Sequence, residues 1–129
     1  MSHQVIHTQS APKAVGPYSQ GIRSGPLVFV SAQLPIEASG KMVSDDLSSE
    51  TRTCLENIES ILNAGGATSQ DIVRVTVYLT DIADFQEVNA VYETFFAASS
   101  VYPTRVCIEV SALPKGVRIA MDAIAYTGG

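Results

Sequence analysis

The chain has no tryptophan, only two cysteines and two histidines, and eight lysines and arginines scattered without a basic run. Each shortage excludes something. Zinc usually needs three or four converging ligands. His3 and His7 have no cluster of partners, and Cys54 and Cys107 belong to no CxxC pair, so no metal site is expected. The two cysteines are expected as free thiols. A formal net charge of −5 repels phosphate backbones, which disfavours nucleic acid as a partner. No span of roughly 20 apolar residues exists to cross a membrane. The opening Met1-Ser2-His3-Gln4-Val5-Ile6-His7 lacks the charged-then-apolar order of a signal peptide. A cytoplasmic protein is therefore expected.

What is present is an ordinary globular composition, 46% apolar and 16% charged over 129 residues. That is enough for one domain, residues 1–129, with a real core. The low charge fraction suggests that part of the surface is covered in a multimer. Short strands are predicted near Val5–Thr8 and Tyr18–Arg23, and a longer one over Leu27–Leu34, stopped by Pro35. Leu47, Thr51, Cys54, Leu55, Ile58, Ile61 and Leu62 recur at helical spacing. They predict a helix from about Asp46 to Ala64, capped by Asp45 or Asp46 and ended by Gly65-Gly66. Ile72–Thr80 alternates as a strand, with Val73, Val75, Val77 and Leu79 on one face and Arg74, Thr76, Tyr78 and Thr80 on the other. A second helix starts at Asp81 or Asp84 and carries Phe85, Val88, Tyr92, Phe95 and Phe96 as its stripe.

Pro103–Val110 alternates with period two, which predicts a strand with one face in a core and the other carrying Arg105, Cys107 and Glu109. A last strand, Val117–Tyr126, places Arg118, Ala120 and Asp122 on one face. The order is β-β-β-α-β-α-β-β. Two amphipathic helices cover one face of such a sheet, so the expected fold is a two-layer α+β sandwich. Arg74, Thr76, Tyr78, Arg105, Cys107, Arg118 and Asp122 are then left for the other face, and cyclic association is a common way to cover it.

Four segments, in order, carry a resemblance. They are Gly16-Pro17-Tyr18-Ser19-Gln20-Gly21, Val30-Ser31-Ala32-Gln33-Leu34-Pro35, Val88-Asn89-Ala90-Val91-Tyr92-Glu93-Thr94-Phe95-Phe96, and Pro103–Val110 followed by Leu113-Pro114-Lys115-Gly116-Val117. Over essentially its whole length the chain resembles the RidA/YjgF family of imine deaminases, also called the endoribonuclease L-PSP family. The resemblance implies a chorismate-mutase-like fold and a homotrimer. In it three sheets form a central barrel, with ligand clefts between subunits. It implies a hydrolase that converts reactive enamines and imines, such as 2-aminoacrylate, to 2-keto acids and ammonia, with no metal or organic cofactor.

On that resemblance Arg105 clamps the substrate carboxylate, a task suited to a planar guanidinium. The backbone amide of Cys107 helps hold the substrate, and Tyr18, Ser31 and Asn89 line the cleft. Other readings stand beside these: Arg105 in a structural ion pair with Glu109 or Asp122, and Cys107 as a nucleophilic thiol. The family's deaminases usually carry a glutamate on the last strand, thought to orient the attacking water, where this chain has Ala120. Asp122 and Glu109 are the possible substitutes. The alternative is a binding protein of the same fold that holds 2-keto acids without turning them over. Ribonuclease action is disfavoured by the acidic balance, and fold alone is a poor warrant for chorismate mutase activity.

Overall fold

The computed structural model of the protein describes residues 2–128. Its strands are β1 (Gln4–Ile6), β2 (Gly21–Ser24), β3 (Leu27–Gln33), β4 (Ile72–Leu79), β5 (Thr104–Glu109) and β6 (Ile119–Tyr126). Two helices, α1 (Leu47–Ala64) and α2 (Phe85–Phe95), interrupt them. The strands form one mixed sheet in the order β1-β2-β3-β6-β4-β5. All neighbours run antiparallel except β4 and β5. A parallel pair needs a crossover, and α2 supplies it.

Local chemistry sets the helix ends. The Asp46 carboxylate accepts a hydrogen bond from the Ser49 N–H at 2.7 Å and caps α1. That bond, made to the charged form, holds the carboxyl below its usual range. At the other end Gly66 takes φ +84°, the left-handed turn that suits a residue without a Cβ. Asp81 accepts from the Ala83 N–H at the short turn that leads into α2.

Both helices lie on one side of the sheet, with α1 packed on β3, β6 and α2. Leu55, Ile58, Ile61 and Leu62 of α1 are fully buried against Val28, Val75, Val77, Leu79, Ile119 and Met121 of the strands. Burying one such side chain contributes about 1.5–3 kcal/mol, so this stripe decides which way α1 faces. Buried Gln20 ties the N-terminal loop down. Its Oε1 accepts from the Thr8 N–H at 2.7 Å, and its Nε2 donates to the Pro12 carbonyl at 2.8 Å.

Three face assignments are corrected. Val73 does not join Val75 and Val77 in the core; a register shift between Ile72 and Arg74 turns it outward, 45% exposed. The larger correction concerns β5. Arg105 pairs with Val75 and Cys107 with Val77, both core-facing, so Arg105 and Cys107 project toward the helices. The bare face takes Val106 and Ile108 instead, the latter 41% exposed. Arg118 also leaves the bare face, because it forms an ion pair with Glu50 of α1 at 2.7 Å. Arg74, Thr76, Tyr78 and Asp122 do lie there. They share the bare face with Phe29 and Ile124, which are opposite one another on β3 and β6.

Candidate active site

Phe85, Asn89 and Tyr92 stand at i, i+4 and i+7 along α2, a spacing that puts them on one stripe of the helix. The stripe lies over the start of β5 and receives the side chain of Arg105. The Arg105 guanidinium carbon sits 4.8 Å from the Tyr92 ring centroid and 5.2 Å from that of Phe85. Its Nη1 donates to Asn89 Oδ1 at 2.7 Å. A guanidinium has only donors. The Asn89 oxygen must therefore face it, and the Asn89 NH2 is left for the cleft.

That cleft has a volume of about 450 Å³ and is lined by Asn89, Tyr92, Glu93, Tyr102, Pro103 and Arg105. Among the described residues, Arg105 has no carboxylate within ion-pair distance. Neither proposed internal partner reaches it. Glu109 accepts from the Ile82 N–H at 2.9 Å, and Asp122 accepts from the Tyr78 hydroxyl at 2.7 Å on the opposite face of the sheet. The positive charge is thus fixed by two rings and one amide, and its other N–H groups remain available.

Cys107 follows on the same side of β5. Val110 N–H donates to the Leu79 carbonyl at 2.8 Å. Backbone N–H groups alternate sides along a strand. Those of Val106 and Ile108 therefore also point to β4, and those of Arg105, Cys107 and Glu109 point to the open edge of the sheet. The Cys107 amide is a donor without a ladder partner. Its thiol is half-buried and packs against the core. Burial pushes the thiol pKa up, and nearby Arg105 only partly opposes this. The group stays protonated near neutral pH and is a poor nucleophile.

Tyr92 is 4% exposed, and its hydroxyl is buried without a hydrogen-bond partner. Burial pushes its pKa up to about 12, against the pull of Arg105. The phenol therefore remains neutral beneath the guanidinium.

The other sequence-derived residues lie elsewhere in the chain. Tyr18 is exposed and lines a second cleft of about 410 Å³ between the N-terminal loop and the end of β3, with Gln33 and Lys115 on its wall. Ser31 sits at the register shift between Val30 and Gln33, where its hydroxyl donates to the Ser19 carbonyl at 2.6 Å. Strand β3 is three places from β5 in the sheet, roughly 14 Å at the usual strand spacing. One chain therefore brings together Arg105, Cys107 and Asn89, and separately Tyr18 and Ser31.

The acid position is also remote from Arg105. Ala120 pairs with Tyr78 on the bare face and is 1% exposed. Asp122 is on that face too. Glu109 does not neighbour Ala120, because β4 lies between β5 and β6. Tyr92, Glu93 and Tyr102 of the cleft wall, and Phe85 beside Arg105, were not expected as site residues. Phe85 and Tyr92 read as core stripe, Glu93 stood only within a resembling segment, and Tyr102 lay outside all of them. The available signal was the i, i+4, i+7 spacing of Phe85, Asn89 and Tyr92 on one helix.

Comparison with known proteins gives a consistent picture. The family model described as endoribonuclease L-PSP matches residues 8–127. A RutC family protein of Pyrococcus abyssi is 48% identical, with 98% of each chain covered. The 2-iminobutanoate/2-iminopropanoate deaminase of Salmonella typhimurium is 43% identical over 95% of this chain and 96% of its own. Among solved structures, E. coli TdcF with bound serine superposes with a TM-score of 0.91 at 42% identity, covering 95% of this chain and 98% of that one.

Proposed function

We propose that this chain, which belongs to the endoribonuclease L-PSP (RidA/YjgF) family, hydrolyses small 2-imino acids to 2-keto acids and ammonia. The observation that carries this reading is a guanidinium that, among the described residues, has no carboxylate partner and is held in an open cleft by Asn89, Phe85 and Tyr92. The groups turned to that cleft and the adjoining edge are largely donors: the free fork of Arg105, the Asn89 NH2 and the Cys107 amide. Such a set fits a carboxylate with an adjacent acceptor atom. Charge-assisted bonds of this kind contribute about 1.5–3 kcal/mol each.

Tyr18 and Ser31 enter the same site from a second copy. Their separation from Arg105 within one chain, together with the apolar and polar residues left on the bare face, supports a homotrimer with clefts between subunits. The reaction so proposed needs only a bound substrate and a positioned water.

A second reading has one specific observation behind it. Ala120 offers a methyl group where the family's deaminases usually carry an acid. The protein would then bind 2-keto acids without turnover. An assay in which a dehydratase generates 2-aminoacrylate from serine separates the two. Faster pyruvate formation than in the protein-free control supports the deaminase. Absence of any acceleration, with pyruvate still binding, supports the second reading. In that case Ala120→Glu is expected to create activity.

A further inference from the structure

The Arg105 cleft contains one carboxylate, that of Glu93. We infer that Glu93 is a catalytic residue, the general base that orients and deprotonates the attacking water. This deepens the imine-deaminase reading and rests on it.

Three observations lead here. The first is position. Glu93 follows Asn89 by one helical turn and shares the cleft with Arg105, yet is not within ion-pair distance of it among the described residues. A substrate carboxylate gripped by Arg105 places its C2 one bond farther out. Both residues line one cleft of about 450 Å³, which has room for C2 and a water.

The second is local cost. Glu93 occupies the last turn of α2, where the helix dipole disfavours negative charge by typically about 0.3–1 kcal/mol. Its neighbours at i±3 and i±4 are Ala90, Phe96, Asn89 and Ala97. None is a cation, so the usual stabilising role of an exposed helical glutamate, an ion pair along the helix, is absent. A residue that breaks a local rule without local compensation points to a use beyond the helix.

The third is elimination among the other acids. Ala120 has no acid to offer. Asp122 is already bonded to the Tyr78 hydroxyl, and Glu109 is committed to the Ile82 N–H. Among the described residues Glu93 has no side-chain hydrogen bond to give up.

The step is balanced as follows. The substrate enters as the iminium of a 2-imino acid, with its carboxylate on Arg105. Water oxygen bonds to C2 as one water proton passes to Glu93, and the C=N π pair moves to nitrogen. The resulting carbinolamine takes the Glu93 proton on its nitrogen. The C–N bond then breaks, the C2 oxygen forms the ketone, and its proton leaves with the departing ammonia as ammonium. Glu93 returns to its starting form, and no oxidant or reductant is needed.

The test uses the full-length protein, 2-iminopropanoate generated enzymatically in situ, and pyruvate as the binding probe. Glu93→Gln is expected to lower kcat by roughly 10²–10⁴-fold, the usual scale of general acid–base help. Pyruvate affinity and KM should stay within about twofold, since Arg105 is untouched. Glu93→Asp keeps the chemistry at the wrong reach and should recover part of the loss. Glu56→Gln, on the exposed side of α1, should match the parent. A Glu93→Gln protein with the parent kcat overturns the inference and leaves the deaminase reading intact. A parent protein that binds pyruvate but gives no turnover overturns both the inference and the deaminase reading, and selects the binding-protein reading. Loss of both binding and turnover in the parent overturns the reading of the site itself.

Discussion

Two arginines stand on the helix side of the sheet in opposite circumstances. At the α1–β6 corner, Arg118 is locked. It donates to both oxygens of Glu50, with its Nε at 3.0 and 3.1 Å and Nη2 at 2.7 Å. Glu50 is buried, and these bonds hold the Arg118 pKa above its ordinary value. At the α2–β5 corner, Arg105 meets two aromatic rings and one amide oxygen but, among the described residues, no carboxylate. A buried carboxylate needs its cation, so the first pair is structural. A cation kept half-buried without an anion is available to bind one. The same side chain stands in two different settings, and the difference lies in what the facing helix offers: an acid on α1, rings and an amide on α2.

The largest expected effect sharpens this contrast. Arg105→Ala removes two charge-assisted bonds to a bound carboxylate, each about 1.5–3 kcal/mol. Pyruvate affinity should fall roughly 10²–10⁴-fold by titration calorimetry. Folding stability should change by only about 1–2 kcal/mol, from two cation–π contacts of about 0.5–1 kcal/mol each. Arg105→Lys keeps the charge but loses the planar fork, and should fall between. An unchanged dissociation constant for Arg105→Ala would erase the distinction between the two arginines.

The second effect is the mirror image. Arg118→Ala leaves the Glu50 carboxylate buried without its partner. Arg118 is itself partly in water, its side chain 44% exposed. The expected loss by urea denaturation is therefore about 1.5–3 kcal/mol, below the 3–5 kcal/mol typical when a fully buried pair is broken. Pyruvate binding to the folded fraction should be unaltered. A binding defect without a stability defect would reverse the assignment of the two corners.

The smallest effect concerns the thiol beside Arg105. Burial raises the Cys107 pKa above its ordinary value of 9.0. The reactive thiolate is therefore scarce at neutral pH. Alkylation by iodoacetamide in the native protein should be slow there and accelerate only as pH climbs beyond that ordinary value. Cys107→Ser, which keeps the backbone amide, should leave turnover within a few-fold of the parent. Loss of activity on this change would give the thiol a chemical role that its surroundings argue against.

Much of the fold was legible from local signals. The α1 stripe, its Asp46 cap and its Gly66 turn are each written in neighbouring residues, because capping and periodicity act within a few positions. The order of elements and the resemblance of four segments were equally readable. The face of β5 was not. Period two says that Arg105 and Cys107 share a side, and Val106 and Ile108 the other, but it is symmetric as to which side meets the helices. Apolar Val106 and Ile108 read as core. In the folded chain they face away from it, and α2 instead presents Phe85, Asn89 and Tyr92 to the arginine side. Val73 misled for a related reason, since the register shift that turns it out leaves no mark in the alternation. Glu93 was hidden because its meaning depends on Arg105, twelve residues along, being brought against its own helix.

The sequence by itself determined the elements, their caps and the presence of a guanidinium, because those follow from short-range geometry and residue chemistry. Tertiary structure alone decided which arginine meets an acid, which side of β5 faces the helices, and that Ala120 lies across the sheet from Arg105. Those outcomes depend on how α1 and α2 dock on a six-stranded sheet. Docking is settled by burying the two helical stripes together, and no short stretch of sequence contains that sum.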